Sequence, residues 1–524
     1  MRSRGGTDRR PGRVANRSTR LERALVRPGA RRLARDPEGT RHDPSLPVGT
    51  ELVPQIEHIV ILMMENHSYD SYLGMLGATE GRGDGFTLGS DGSPTARNPT
   101  KTEGEFEAAT RWSSTTQVCG LPSQSWHAAH YQWHRGACDG FVRSAEDAQA
   151  GPEDRDVPMR YFTEADLPFY YDLARTFPLA DRWFSSCLGP TFPNRRFLIA
   201  GTAHGLIDDI PFGLFDRPKN GTIFDALTRN EIPWTNYHQA ARSRIIRVLV
   251  APVLGLLRRV GLTASYVVPS LKEAVIGRIQ FTADLYPLGM LGRVSHVNSI
   301  DRFWEDAANG TLDPVSIVDP DFDHRSEESP QDVRCGEAFA AAVIDAVMTG
   351  PDWATTLLIW TYDEHGGYYD HVSPPAATSP DGVRGRSLMD AAPPIRWLLK
   401  RLGKWNQIEA IDKGPKRYSR FGFRVPTVFV SPYARRNHVS STVYDHTSIL
   451  KLIEHKWNLP PLTARDAAAA DPLDDMLDLD ATDPPFMNPP PLHPSAKGWD
   501  VGEGSETCRP ACPKRRPTVY PSVR

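Results

Sequence analysis

"IVILMMENHSYDSYLG", residues 59–74, runs six apolar residues directly into Glu65, Asn66 and His67 with no Gly or Pro between them. An unbroken apolar run of this length reads as a β-strand covered on both faces, the mark of a parallel sheet. The following "SYDSYLGML" reads as a helix. A strand that turns abruptly polar and then feeds a helix is one strand–loop–helix unit. In open α/β sheets, ligands bind beyond the carboxyl ends of the strands. Glu65 and Asn66 are therefore the first candidates for chemistry.

The unit recurs along the chain. "IEHIVILMM" (56–64), "PLADRWFSS" (178–186), "TTLLIWTY" (355–362) and "VPTVFVSPY" (425–433) read as strands, three of them with continuous apolar runs. "PNRRFLIAGTA" follows the second as a helix. "SILKLIEHKW" follows the last, with Ile449, Leu452, Ile453 and Trp457 at helical spacing. Repeated units of this kind predict a three-layer α/β fold.

The bulk numbers agree with a globular protein. The 524 residues are 40% hydrophobic and 24% charged, with a net charge of −3 that points to no nucleic-acid partner. No run reaches the roughly 18 apolar residues of a membrane span. Residues 1–42 hold thirteen Arg against four acids, so residues 1–50 read as a disordered basic arm. Residues 51–479 form the catalytic domain on this reading, and 480–524 a Pro-rich C-terminal tail. An insertion at about 240–290 contains the basic, apolar stretch 242–268. It is read as a cover over the core or a lid, with peripheral contact with a membrane surface as the alternative. The six cysteines form no CxxC pair, and their spacing neither requires nor excludes disulfides. The N-terminus lacks the apolar segment of a signal peptide, so the chain as written reads as cytoplasmic.

A second strand end repeats the chemistry of the first. "LLIWTYDEHGGYYDHVSPP" drives an apolar strand into Asp363 and Glu364, followed by two glycines. A third strand leads to "CLGPTFPNRRFLIAG", where Thr191 follows a Gly-Pro turn and Pro193 suits the first position of a helix. If these ends are neighbours, three carboxylates converge and like charges raise their pKa values. A divalent cation reverses that penalty, and hard oxygen ligands suit one. It would also activate the Thr191 hydroxyl as a nucleophile. The helix N-terminus would offer free N–H groups to an anion. Taken singly, each motif has a plainer reading, because an acid after a strand is usually a solvated loop residue or a helix cap.

Together, "ENHSYDSYLG", "GPTFPNRRF", "TLLIWTYDEHGGYYDHVSPP" and "VPTVFVSPYARRNHVSSTVYDHTSILKLIEHKW" resemble the motifs of the bacterial phosphoesterase family. That family contains zinc-independent phosphatidylcholine-hydrolysing phospholipases C and a respiratory-burst-inhibiting acid phosphatase. The resemblance runs in order over most of residues 55–460. It implies an alkaline-phosphatase-like three-layer sandwich with a central mixed, mostly parallel sheet, and a hydroxyl nucleophile at a metal site. Position by position, Thr191 matches the nucleophile, and Glu65, Asn66, Asp363 and Glu364 match the groups around a divalent metal. "PVSIVDPDFDHRSEESP" resembles the segment ending in an acid–His pair, which would put His324, beside Asp323, at the leaving group. Gln124 stands where the family commonly has His. Gln124, His127, Arg195 and His371 are the candidates for substrate binding. His446 reads as structural more than catalytic.

These readings converge on a phosphoric ester hydrolase of the phospholipase C kind, working through a metal-activated threonine and a phosphothreonine intermediate. A broad phosphomonoesterase is the nearest alternative. A non-catalytic lipid- or surface-binding protein on a retired hydrolase fold is the alternative of another class. Sulfatase chemistry ranks below these, because "TFPNR" begins with Thr rather than Cys or Ser. Relatives are often exported, which the N-terminus as written does not explain.

Overall fold

The structure, a computed structural model, describes residues 41–148, 153–207, 209, 218–239, 282, 285–286, 294–386, 417–493 and 508. Its centre is an eight-stranded sheet. In chain order the strands are β1 (His58–Met64), β2 (Leu179–Ala180), β3 (Trp234–His238), β4 (Val297–Ser299), β5 (Val315–Val318), β6 (Thr356–Tyr362), β7 (Thr427–Val430) and β8 (Val439–Ser440). Across the sheet they run β8-β2-β7-β6-β1-β5-β3-β4. The helices that matter for the site are α1 (Tyr69–Glu80), α2 (Trp126–Trp133), α3 (Pro168–Thr176), α4 (Thr191–Ala200), α5 (Val333–Thr349) and α6 (His446–Lys456).

β1 pairs in parallel with both β6 and β5, and β5, β3 and β4 continue in parallel. β7 runs antiparallel to both β6 and β2. The sheet is therefore mixed and mostly parallel, as expected, but the apolar run of β7 did not mark a parallel strand. All four residues of β7 are buried. The run reports coverage on both faces, which an antiparallel strand in the middle of a sandwich shares.

Two other expectations changed. "PLADRWFSS" is two short strands rather than one: Leu179–Ala180 joins the main sheet, and Trp183–Phe184 pairs with Tyr444–Asp445. β3, β4 and β5 were not anticipated. They are short, and Thr235, Asn236 and Ser316 interrupt the apolar pattern that marks a buried strand.

The central register positions the site. Met64 lies opposite Tyr362, and Leu62 opposite Val318. Continuing each strand by one residue brings Glu65, Asp363 and Asp319 to the same edge. All seven residues of β1 and all seven of β6 are buried, so this edge sits on a rigid base.

Of the basic arm, residues 1–40 lie outside the described residues. Gly49 N donates to Trp457 O at 3.0 Å, and the Asn458 amide bonds the Asp43 backbone, so residues 43–50 lie against the end of α6. Residues 480–493 lie along the core, with Phe486 buried and its carbonyl accepting from Trp353 Nε1 at 3.0 Å. Cys335 and Cys508 are joined by a disulfide. The stretch 242–268 and nearly all of the insertion at 240–290 lie outside the described residues. Among those described, no helix is long and apolar enough to cross a membrane.

Candidate active site

The abrupt break after β1 is a turn made by Asn66 itself, which has φ of +73°. Asn tolerates this left-handed region better than most residues. Ser68 then caps α1, accepting from Ser71 N. The second strand end turns on Gly366 and Gly367, with φ of +66° and +82°. A Cβ on Gly366 would lie 2.0 Å from Asn66 O, so the two strand-end loops pack backbone to backbone. Here glycine is required by space as well as by conformation.

Thr191 is the first residue of α4, with Pro190 as its cap. Pro193 occupies the third helical position, not the first as expected. Its missing N–H costs nothing there either, because the first-turn donors have no partner within the helix. Asn194 holds the preceding turn, donating to Cys187 O, Gly189 O and Pro190 O and accepting from Cys187 N. The N–H of Phe192 donates to Asp209 at 2.9 Å. The helix N-terminus thus faces a carboxylate of this chain at that donor.

Three chain segments meet at Asn66. Thr191 Oγ1 donates to Asn66 Oδ1 at 3.2 Å. The same oxygen lies 2.9 Å from Asp363 Oδ1 and 2.9 Å from Glu364 Oε1, while Nδ2 faces Gln124 Nε2 at 3.1 Å. The alternative setting of the amide turns its N–H groups toward Thr191, Asp363 and Glu364 and its oxygen toward Gln124. This setting satisfies every one of these contacts, so Asn66 donates to Thr191 Oγ1, Asp363 Oδ1 and Glu364 Oε1 and accepts from Gln124 Nε2. Two carboxylates and a hydroxyl converging on one amide are hard oxygen groups of the type that suits a divalent cation.

The electrostatics agree. Burial, then the neighbouring Asp363 charge, pushes Glu65 and Glu364 well above the usual carboxylate range. Burial also raises Asp363, against the pull of Arg195. Among the described residues, none of Glu65, Asp363 and Glu364 belongs to a group of three His, Cys, Asp or Glu side chains close enough to share an ion, so an ion here would also need Asn66 and Thr191. The Glu65 N–H donates to Ser326 O at 2.9 Å, and Glu65 Oε1 lies 3.9 Å from Arg195 Nη2.

Arg195 corrects the sequence reading. It is not free for substrate, being 2% exposed with its donors taken. Nε donates to Asp363 Oδ2, Nη1 to Thr282 Oγ1 and Asp319 Oδ1, and Nη2 to the carbonyls of Met63 and Met64. It positions the strand ends. Arg196 is buried as well, donating to Leu285 O and Ala203 O.

His371 is the second correction. Its Nδ1 contacts Asp70 Oδ2 at 2.7 Å and its Nε2 Asp84 Oδ1 at 3.3 Å, beside Arg424. Both ring nitrogens are held in an ionic cluster that ties α1 to the loop after β6, so neither is available to a substrate. His127, on α2, stacks on Tyr131 with ring centroids 6.5 Å apart. Gln124 does reach the group, through Asn66 and, at 3.5 Å, Glu328 Oε1.

His324 sits on the loop after β5, between Phe322, whose ring lies under Arg195, and Ser326, which bonds Glu65. The carboxylate that holds its Nδ1 is Asp321, at 3.0 Å, and not the adjacent Asp323. Neutral histidines brace the strand ends. His446 Nε2 bonds Asp363 O at 2.7 Å, and burial pushes its pKa down to about 4. His365 bonds Gln132 Oε1 at 2.8 Å and lies 3.1 Å from Glu364 Oε2, with burial lowering it to about 3.

Sequence reasoning missed Asp319 and Asp321. Asp319 directly follows "VSIV", so the rule that singled out Glu65 and Asp363 would have found it once β5 was recognised.

The chain belongs to the Phosphoesterase family, whose profile it matches over residues 56–460. It is 28% identical over 436 residues to a hemolytic phospholipase C of Pseudomonas aeruginosa, covering 80% of this chain and 54% of that protein. It is 29% identical over 448 residues to non-specific phospholipase C6 of Arabidopsis thaliana, covering 79% and 71%. To phospholipase C B of Mycobacterium tuberculosis it is 30% identical over 443 residues, covering 79% and 76%. This chain spans about half the length of the Pseudomonas relatives it matches. A solved structure of a protein in the alkaline phosphatase superfamily from Vibrio parahaemolyticus aligns over 86% of this chain and 77% of its own, at 9% identity and a TM-score of 0.34. The fold itself is defined by the order and direction of the eight strands.

Proposed function

We propose that this chain hydrolyses phosphoric esters in the manner of a phospholipase C, with Thr191 as nucleophile. The observation that carries the reading is the meeting of Thr191 Oγ1, Asp363 Oδ1 and Glu364 Oε1, from separate segments, on one atom of the Asn66 amide at 2.9 to 3.2 Å. Glu65, Asn66, Thr191, Asp363 and Glu364 would hold a divalent cation. Bound there, it would supply charge neutralisation and a lowered pKa for the threonine hydroxyl.

Thr191 Oγ attacks phosphorus in line, forming a phosphothreonine while the ester oxygen leaves. With the Asn66 amide N–H donating to Thr191 Oγ1, the hydroxyl proton is left to Asp363, whose carboxylate is in hydrogen-bond contact with Thr191 and takes it. His324, its Nδ1 held by Asp321, protonates the leaving alcohol. Water then hydrolyses the phosphothreonine. A phospholipid substrate is supported by the names of the relatives, all three of which are phospholipases C.

The test is a substrate panel on purified protein, with and without a chelator. Preference for phosphatidylcholine supports the phospholipase reading, and preference for simple monoesters favours a phosphomonoesterase. No turnover and no bound metal would favour a binding protein on a retired fold. We further infer that the chain works in an oxidising compartment, because structural disulfides such as Cys335–Cys508 are rare in reducing ones.

A further inference from the structure

The loop that carries His324 is anchored by a carboxylate with no part in the chemistry above. Glu327 is fully buried and enclosed by three tyrosines. Tyr72 of α1 donates to Oε2 at 2.6 Å, Tyr170 of α3 donates to Oε1 at 2.6 Å, and Tyr362, the last residue of β6, donates to Oε2. The backbone of Glu327 is held as well. Its N–H donates to Gln331 Oε1 at 3.1 Å, and its carbonyl accepts from Gln117 Nε2 at 2.6 Å.

Local chemistry opposes this arrangement in three ways. Burial drives the carboxyl up to about 8, even against the three hydroxyl donors. The residue has φ of +76°, a region that a glutamate rarely adopts. Gly336 stands inside α5 because a Cβ there would lie 2.1 Å from Glu327 Cγ, so the helix carries a weak helix former to make room. An apolar side chain would avoid the first of these costs, and buried ion-forming groups are often replaced by hydrophobic ones without loss of stability. Strained, desolvated groups that persist cluster where geometry matters.

What the anchor connects is specific. Tyr362 immediately precedes Asp363. Tyr72 lies in the helix that follows Glu65 and Asn66. Ser326, the residue before Glu327, accepts from Glu65 N at 2.9 Å, and Glu328, the residue after it, is reached by Gln124. We propose that Glu327 is a positioning residue: clamped by Tyr72, Tyr170 and Tyr362, it fixes the loop from Asp319 to Gln331 against the ends of β1 and β6, and so sets where His324 stands relative to Thr191. This rests on the role given to His324 under the proposed function.

The test uses phosphate esters with graded leaving groups, from nitrophenols to alkyl alcohols, assayed on the full chain. An acid that protonates the leaving group matters for alcohols and little for nitrophenols. Glu327→Gln, which leaves every group of the reacting centre in place, is expected to lose about tenfold or more in kcat on alkyl esters beyond any loss on nitrophenyl esters. Tyr170→Phe, with the carboxylate retained, should shift the dependence the same way by less. A purely structural role would lower both classes equally, so an unchanged leaving-group dependence in Glu327→Gln overturns the proposal. Should Glu327→Gln fail to fold, the slope of Tyr170→Phe decides in the same terms. His324→Ala is run beside them. If it leaves the dependence unchanged, the assignment of His324 fails, whichever way the Glu327 variant behaves.

Discussion

Arg195 Nε lies 3.0 Å from Asp363 Oδ2, with the arginine side chain 2% exposed and the aspartate fully buried. On its other side the same guanidinium meets Asp319 Oδ1 at 3.1 Å. One buried cation thus sets the spacing of two strand-end carboxylates. Removing it leaves two acids in the interior without a counter-charge. Arg195→Ala is therefore expected to cost about 3–5 kcal/mol, the usual result of breaking a buried pair from one side. The midpoint of denaturant unfolding measures it. A shift no larger than that of an exposed arginine variant would contradict the pairing.

Asn66 separates backbone from side-chain effects. Its φ of +73° suits glycine, whereas alanine there is strained by about 1–2 kcal/mol. Asn66→Gly should keep near-parental stability, and Asn66→Ala should fall below it by that amount. Both lose the amide that meets Thr191, Asp363 and Glu364, so both should lose activity by about 100-fold or more. Their metal content, measured by emission spectrometry, should fall together. Full activity in Asn66→Gly would remove the amide from the site.

His371 gives the protein a pH-dependent brace. Burial alone would lower its pKa, but the hydrogen bond and charge of Asp70, with Asp370, outweigh burial and raise it to about 9. A histidine raised in the folded state binds its proton more tightly there than in the unfolded chain. Its contribution is complete below the unfolded value near 6.5 and is lost as pH climbs through about 9. The size is at most about 3.5 kcal/mol, from the rise to about 9 converted at about 1.4 kcal/mol per pKa unit, and less once solvent screening of the part-exposed ring is counted. Thermal midpoints measured across that window should fall with rising pH, and His371→Asn should flatten the fall.

Much of this site was legible in the chain, for one physical reason. A strand buried on both faces is written as an unbroken apolar run, so the polar residue that ends it stands out, as Glu65 and Asp363 do. Thr191 was legible because Gly189 and Pro190 announce the turn before it. Asp319 was hidden because "VSIV" is short and contains a serine, though its strand is as buried as β1. Arg195 and His371 were misread because sequence gives residue type but not direction. A charged residue beside a motif looks available until its partners are known, and both are consumed by carboxylates far away in the chain. Glu327 left no signal at all. Its meaning comes from tyrosines on α1, α3 and β6, and no local pattern joins them.

The Cys335–Cys508 bridge closes a sequence separation of 173 residues and ties residue 508 to the first turn of α5, where Asp332 N also donates to Cys508 O at 3.0 Å. Joining such distant points restricts the unfolded chain, and losing a native bridge typically costs about 2–5 kcal/mol. Cys119 is disulfide-bonded too, so added reductant alone would not isolate this bridge. The comparison is therefore between the parent and Cys335→Ser/Cys508→Ser, both without reductant, and the variant should melt measurably lower. Reductant added to the variant then reports what remains. The free thiols do not confuse the result. Cys138 and Cys187 are buried, and burial pushes Cys138 up to about 12 and raises Cys187 as well. Exchange needs a thiolate, which neither supplies at neutral pH. A native thiol assay on the oxidised parent should accordingly show no fast-reacting group. Equal melting of parent and variant would mean that the bridge does not constrain the fold, and the inference of an oxidising compartment would lose its support.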